Sequence, residues 1–441
     1  MARNTTTFLE LKQLFNQSIG DDLEFDTTTN ITTNNSILST TLNQFDDGED
    51  DHFNTWWVYI TEGVNITKSR KISDYATSGG TLTVYGAALA AESAAVTCRL
   101  TRYNPDHAKQ ALIRACEEIY PTLHKPMDDH TLITGNMLPD ASFESDLVTD
   151  FYSVSNITYA KTSTEGLYRG RMGQASAKAT ATAANGYIYL TSDAYPRLLD
   201  LQGKTVDAYV WVYPEVANDA YLEIYTKSDD GTTTQTLTST TTCAAAVWTL
   251  LKLEDQALND DLDEIQVRFK VATNTKYVYF DDAYVGCERL KEYILPDYII
   301  EGHLSRVFVQ DYGYSDPAMY DINPFITAHS GIEYPFDITD DGVYTYLVLL
   351  GSTPPTKRRI RMLGYQPLEI LSTDATTLTL DTQRVPLLIA KAREIFFSRE
   401  SVPVSAEDTS RFQGEYARAV YDYNKLFYKA RMSKPVELVK I

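Results

Sequence analysis

The sequence predicts a mixed, β-dominated fold: a small helical bundle drawn from both chain ends, small β-barrel-like segments, and an inserted antiparallel β-sandwich. Three observations predict it. Helical periodicity is confined to 7–18, 104–119, 385–400 and 410–431, so helices sit at the two ends of the chain. Strand-like segments at regular spacing fill 136–288, with Gly, Asn, Asp and Thr between them. Tyr is used 31 times in 441 residues and Thr is abundant, and both suit pleated, half-wet surfaces.

The elements follow in order. TFLELKQLFNQS (7–18) sets Phe8, Leu9, Leu11, Leu14 and Phe15 on a helix face, and Gly20 stops it. Residues 1–65 carry eleven acids against two bases, and DDGEDD (46–51) reads as an exposed loop. Residues 21–55, acidic and poor in core residues, are expected to order only on a partner. WWVYITEG, KSRKISDY, TLTVYGAAL and AVTCRLTRY then read as strands of a small barrel or curled sheet. Asn104 caps the next helix and Pro105 fits its first turn; Ala108, Ala111, Leu112, Ala115, Cys116 and Ile119 make its stripe.

A boundary falls near 126–136. YIYLT (187–191), TVDAYVWVYP (205–214), AYLEIYTK (220–227), VWTLLKLE (247–254), EIQVRFKVA (264–272) and KYVYFDDAYVG (276–286) are the strands of the sandwich, and AKATATAANG (177–186) is a strand plus turn. SRVFVQDYG, VYTYLVLLG and KRRIRMLGY supply further strands, and PLEILSTDATTLTLD (367–381) reads as a hairpin. VPLLIAKAREIFFSRE (385–400) and 405–432 return to helix, the latter with Phe412, Tyr416, Ala419, Tyr423, Leu426 and Phe427 on its apolar face. The expected domains are 1–133 (helix, small β region, helix), 134–288 (sandwich), 289–384 (irregular β) and 385–441 (helices completing the bundle). None of the helices is long enough to be stable alone, so the cheapest burial packs them together.

Composition excludes whole classes. A net charge of -21 opposes nonspecific binding to nucleic acid, which needs a concentrated positive face. No apolar run is long enough to span a membrane, and MARNTTTFLELKQLF has no apolar signal core. Cys98, Cys116, Cys243 and Cys287 form no CxxC, and the six His form no HxxxH. If a disulfide formed it would join Cys243 to Cys287. GxSxG, GxGxxG after a strand, GxxxxGK and HExxH are all missing, and no catalytic residue is assigned. Glu144, Asp281 and Asp282 qualify as hydrolase carboxylates by position only, and surface or structural acids explain them better.

Two surface readings stay open. KRRIR (357–361) is the densest basic cluster; on a strand, Lys357, Arg359 and Arg361 share one side. Solvation and an acidic protein partner both account for it, and DNA threading a channel is the third account. Trp211, Tyr213, Tyr221, Tyr225 and Trp248 lie on sandwich strands, and alternation puts Tyr209, Trp211 and Tyr213 on one face. Sugar stacking would use such a face; core packing is the simpler explanation.

NMLPDASFES, with Asn136, Leu138, Phe143 and Glu144, then LQGKTVDAYVWVYPE (201–215) and the closing YVYFDDAYVG (277–286), resemble the galactose-binding-like, carbohydrate-binding jelly-roll modules over about 150 residues. The resemblance implies a jelly roll and a structural calcium. Glu144 and Asp282 would be its ligands, with a backbone carbonyl near Asn136, since hard oxygen ligands suit calcium. The family's usual Gly before Phe-Glu is Ser142 here, and sugar-contact residues do not transfer. No other cofactor is expected.

The flanking run TLTVYGAAL…CRLTRYNPDHAKQALIRACEEIYPTLHKP and the closing RFQGEYARAVYDYNKLFYKARM resemble structural proteins of tailed bacteriophages. That resemblance implies a head-to-tail adaptor in the virion: a ring of copies, twelve by expectation, between a portal protein and a tail or tail-terminator (stopper) protein, with fibre proteins as further neighbours. It would be assembled in the host cytoplasm and touch DNA only by its passage through the channel. Lys357, Arg359, Arg361, Tyr416, Tyr423 and Lys434 would contact partners. The alternative is a carbohydrate-binding virion, tail or decoration protein; a glycan-acting enzyme is the weakest rival.

Overall fold

The computed structural model describes residues 6–32, 34–145, 152–164, 166–168, 173–296, 298–299, 302–311, 331–369, 371–380, 382–400 and 406–432. The chain folds as two units: residues 1–125 with 367–441, and residues 126–366.

The first unit opens with β1 (Thr6–Thr7) and α1 (Phe8–Ile19). The sequence encodes both ends of this helix. Thr7 and Glu10 form a reciprocal capping box, and Gly20 takes the left-handed conformation at φ 68° that closes the last turn. β2 (Leu23–Asp26), β3 (Ser36–Leu38), β4 (Trp57–Ile60), β5 (Ser69–Ala76), β6 (Thr81–Val84) and β7 (Thr97–Thr101) form one sheet in the order β2-β7-β4-β5-β6-β3. Its outer strands approach each other: Thr28 N–H donates to Leu38 O (2.8 Å) and Ser39 Oγ to Asp26 O (2.6 Å). The sheet is therefore curled almost into a barrel, as its pattern predicts.

Two expectations about 21–55 need correction. Phe25, Ile31, Ile37, Leu42 and Phe53 are buried in the barrel core. The acidic loop is not simply solvated, because Asp46 is buried and accepts from Tyr75 Oη at 2.6 Å, while Asp50 accepts from Thr77 N–H at 2.8 Å. These acids are acceptors that close turns, which their density in the sequence conceals. α2 (Pro105–Glu118), capped by the Asn104 side chain, follows.

The second unit holds β8 (Lys125–Asp129) from Pro126 onward, then β9 (Ser153–Ser155), β10 (Ile157–Thr162), β11 (Ser176–Ala181), β12 (Gly186–Thr191), β13 (Thr205–Pro214), β14 (Ala220–Ser228), β15 (Thr234–Thr238), β16 (Thr249–Ala257), β17 (Leu262–Val271) and β18 (Tyr277–Gly286). Strands β9 to β18 form two five-stranded antiparallel sheets, β10-β11-β18-β13-β16 and β15-β14-β17-β12-β9. From β11 to β18 the orders 11-18-13-16 and 12-17-14-15 are those of a jelly roll. Side-chain alternation explains the core. Ala177, Val210, Val212, Leu251 and Phe280 from one sheet meet Ile188, Leu222, Ile224, Val267 and Phe269 from the other in one buried cluster.

β19 (Glu292–Ile294), β20 (Leu304–Gln310), β21 (Gly331–Tyr334), β22 (Phe336–Asp340), β23 (Thr345–Leu349) and β24 (Ile360–Gln366) complete this unit. They form the sheets β19-β23-β22 and β21-β20-β24-β8 around their own small core, which includes Met127, Val307, Leu347, Ile360 and Met362. Residues 126–133 thus belong with 289–366 rather than with the N-terminal helices, because β8 adds an edge to a sheet made much later in the chain.

The chain then returns to the first unit through β25 (Thr377–Leu378), α3 (Val385–Glu400) and α4 (Ala406–Met432). Among the described residues the expected hairpin at 367–381 is not formed; β25 pairs with β1, Thr6 facing Leu378, so the segment ties one chain end to the other. Phe8, Leu11 and Phe15 of α1, Leu112 and Ala115 of α2, Leu388 and Phe396 of α3 and Ala419 of α4 share one core. That is the predicted helical bundle. All four cysteines are free thiols, so Cys243 and Cys287 are not joined.

Candidate functional site

The second jelly-roll sheet has one face filled by the core. Its other face is built by three strands whose outward positions carry aromatic and charged groups. On β12, Ile188 and Leu190 point in, leaving Tyr187 and Tyr189 outward. On β17, Ile265, Val267 and Phe269 point in and Gln266, Arg268 and Lys270 out. On β14, Leu222 and Ile224 point in and Tyr221, Glu223 and Tyr225 out. Register sets the rows. Tyr187, Lys270 and Tyr221 lie across the sheet in one row; Tyr189, Arg268 and Glu223 make the next, and Gln266 beside Tyr225 the third.

Contacts make this a single constellation. The Arg268 guanidinium lies over the Tyr225 ring at 4.0 Å and the Tyr187 ring at 4.9 Å, and Tyr187 meets Tyr189 edge to face at 5.4 Å. Arg268 Nε donates to Gln266 Oε1 at 2.7 Å. Lys270 Nζ donates to Glu223 Oε1 at 2.9 Å and lies 5.9 Å from the Tyr221 ring centroid. Glu223 is buried, whereas the four tyrosines and Arg268 are half-buried. The result is a half-exposed cluster of four tyrosines with fixed donors and acceptors between them. Groups of these kinds can pack on and hydrogen-bond a polyhydroxylated ligand.

The sequence pointed to Tyr221 and Tyr225 but grouped them with residues of the opposite sheet. Trp211 and Tyr213 face outward on β13, where Tyr213 meets Trp248 at 5.6 Å and Tyr279 at 6.0 Å. Core packing holds for Tyr209, which is buried in a second small core with Trp211 packed against it, but not between the two sheets, where Val206, Ala208, Val210 and Val212 hold the inward parity. Tyr209 stacks on Tyr284 at 5.8 Å and is buried with Ile133. Tyr187, Tyr189 and Arg268 were missed, although alternation within YIYLT and EIQVRFKVA places them outward once the parity of one strand is known.

The basic cluster is spent inside the chain. β24 begins only at Ile360 and Lys357 has a φ of 58°, so the three cations do not share a strand face. Lys357 pairs with Asp207 at 2.8 Å and donates to Tyr209 Oη at 2.8 Å. Arg361 grips Asp128 with two hydrogen bonds of 2.7 Å. Arg359 is fully buried, pairs with Asp282 and donates to His130 O at 3.1 Å, which leaves it no surface for a partner. Tyr416 and Tyr423 pack against the bundle core, and Tyr423 lies 5.9 Å from Phe427. Lys434 lies outside the described residues.

The pair assigned to calcium does not fit it. A guanidinium in contact with the Asp282 carboxylate repels a dication there. Glu144 is turned elsewhere: its Oε1 accepts from Gln174 N–H (2.7 Å) and Ala175 N–H (3.1 Å). Burial pushes its carboxyl up to about 7, which favours the protonated form. Among the described residues no three His, Cys, Asp or Glu side chains are grouped so as to hold a metal ion.

No protein-family model matches the sequence, and no curated protein matches it either. Solved structures similar to it include the CBM22-1 xylan-binding domain from Paenibacillus barcinonensis, at 14% identity over 35% of this chain and 95% of that one, TM-score 0.29. Another is a Clostridium thermocellum N-terminal endo-1,4-β-D-xylanase chain with CBM22-1 and GH10 modules, at 15% identity over 37% of this chain, TM-score 0.28. A third is the enzymatically active domain of bacteriophage CBA120 tailspike protein 4, at 11% identity over 34% of this chain, TM-score 0.26. The match spans 29% of the xylanase chain and 21% of the tailspike chain.

Proposed function

We propose that the protein is a non-catalytic structural component that holds a glycan on the outer face of the second jelly-roll sheet. The observation that carries this reading is the platform itself: Tyr187, Tyr189, Tyr221 and Tyr225 outward on neighbouring strands, half-exposed, with Arg268, Glu223, Gln266 and Lys270 fixed between them. Aromatic faces give stacking area, and the interleaved polar groups give direction to hydroxyls. Electrophoresis of the full chain through gels containing soluble polysaccharides tests it. Retardation by at least one polymer is expected, and Tyr187→Ala or Tyr225→Ala should weaken it several-fold, to about tenfold. Unretarded migration in every polymer would sink the reading.

A second reading concerns the first unit. α4 exposes Tyr421 (66%) and Tyr428 (62%) on the side away from Ala419, and broad exposed aromatics favour protein contact. We propose, as this second reading, that such a contact surface serves a ring-forming adaptor at a virion head–tail junction, in which repetition turns weak contacts into one stable assembly. Light scattering of the protein with a portal ring should then show near twelve copies bound cooperatively; a protein that stays monomeric and ignores the portal counts against it.

A further inference from the structure

The central cation of the tyrosine platform faces Glu223 across the sheet but is not paired with it. Among the described residues Arg268 makes no ion pair: Glu223, its register partner on β14, gives Oε1 to Lys270, and Glu264 Oε1 accepts from Gln266 Nε2. Arg268 donates through Nε alone, to Gln266, so both terminal amino groups of the guanidinium lack an acceptor among the described residues. The group is nonetheless held in place, with the Tyr225 and Tyr187 rings as its stacking neighbours and Gln266 fixing its inner edge. A chain of net charge -21 has carboxylates to spare for a structural pair, yet the outward positions of β12, β14 and β17 carry Lys227, Arg268 and Lys270 against Glu223 and Glu264.

Resting on the glycan reading of this face, we propose that Arg268 is the receptor for a sugar carboxylate, and that the ligand is an acidic polysaccharide of the polyuronate class. A planar guanidinium presents two parallel N–H groups that match the two oxygens of a carboxylate, with geometry an ammonium cannot reproduce. Clamping by rings and by Gln266 removes the rotamer freedom that an exposed arginine loses on binding. The same rings offer stacking faces beside the carboxylate, so one site reads both the charge and the pyranose. A neutral glycan would use the rings and leave the fork unmatched.

Isothermal titration of the full chain with polygalacturonate, alginate and hyaluronate, each beside its carboxyl-reduced form, tests the assignment. Binding of at least one polyuronate, with a loss of about tenfold or more on carboxyl reduction, is expected. Arg268→Lys keeps the charge but not the fork and should weaken that binding by about tenfold, whereas Val343→Ser, at a 73% exposed position outside the platform, should bind as the parent does. Circular dichroism confirms that each variant is folded. Equal binding of the acidic and reduced polymers, or parental affinity in Arg268→Lys, overturns the carboxylate assignment and leaves the glycan platform standing. Equal binding of dextran sulfate reduces the site to an unselective cation and also overturns it. Binding of no polymer, acidic or neutral, defeats this assignment and the glycan reading together.

Discussion

Arg359 and Asp282 form a fully buried ion pair in the second unit, and its removal gives the sharpest test of the fold. Both side chains are sealed from solvent, at 0% and 1% exposure. Asp282 reaches Arg359 because β18 is bulged: Trp211 faces Asp281 and Tyr209 faces Tyr284, leaving an extra residue, and Asp282 takes a φ of 52° there. Two charges about 4 Å apart attract by about 4 kcal/mol at an effective dielectric constant of 20. Breaking such a pair on one side leaves an uncompensated buried charge and costs about 3–5 kcal/mol. Asp282→Asn is the appropriate single change, since Asn tolerates the left-handed backbone where a branched residue is strained. Arg359→Met is the other, and the double variant closes the cycle. Urea unfolding followed by circular dichroism and tryptophan fluorescence should show each single variant about 3 kcal/mol less stable and the double variant losing well under the sum of the two single losses. Single losses below about 1 kcal/mol, or additive losses, would refute the argument that the pair is coupled and buried.

Three further outcomes follow from the same structure. Burial raises Glu144 to about 7 and Asp140 to about 6, so between their ordinary values and these the folded chain holds protons that the unfolded chain has released. Stability should therefore fall as pH rises from about 4.5 to 7, and Glu144→Gln should remove about 3 kcal/mol of that slope in denaturation series at pH 5 and pH 8; an unchanged profile would contradict the burial. In the first unit, Lys12 Nζ contacts Asp374 at 2.5 Å and Tyr59 Oη at 2.6 Å beneath the Phe8 and Tyr59 rings. Asp374→Ala strands that ammonium and should cost about 2–4 kcal/mol by thermal melting, more than Lys12→Met, whose apolar stem keeps the ring contacts; the reverse order would be inconsistent with this placement. A Cβ on Gly286 would collide with Gly135 O, a backbone atom, so Gly286→Ala should lose at least about 2 kcal/mol, and parental stability would show that the backbone can give way.

Local signals were readable and long-range pairings were not. Both ends of α1 and the start of α2 are written in adjacent residues, Thr7 with Glu10, Gly20, and Asn104 with Pro105. Strand β13 is bounded as its alternation predicts, at 205–214, because a ten-residue run of period two has no competing interpretation. The pairing of β25 with β1 joins Leu378 to Thr6 across nearly the whole chain, and neither segment is long enough to advertise itself as a strand. The same limit hid β8, where the sequence shows only a domain boundary until β24 lies beside it. It also hid the bulge at Asp282, which turned a carboxylate assigned to a metal toward an arginine some 80 residues later.

The platform was half legible for a related reason. Alternation says which residues share a face of a strand, but not which face is buried; a one-step change of parity exchanges the two. In β13 the aromatics and the aliphatics are both good core residues, so TVDAYVWVYP fits either parity, and volume decides it. Two sheets about 10 Å apart accept Val and Ala opposite one another, whereas three large aromatics in a row would overfill the gap. β17 is unambiguous by contrast, since Gln266, Arg268 and Lys270 cannot share the core with Ile265, Val267 and Phe269. Once β17 is fixed, its register with β12 and β14 forces four tyrosines outward around Arg268. Charged strands therefore define the face of a tyrosine-rich sandwich, and the aromatic strands take their parity from them.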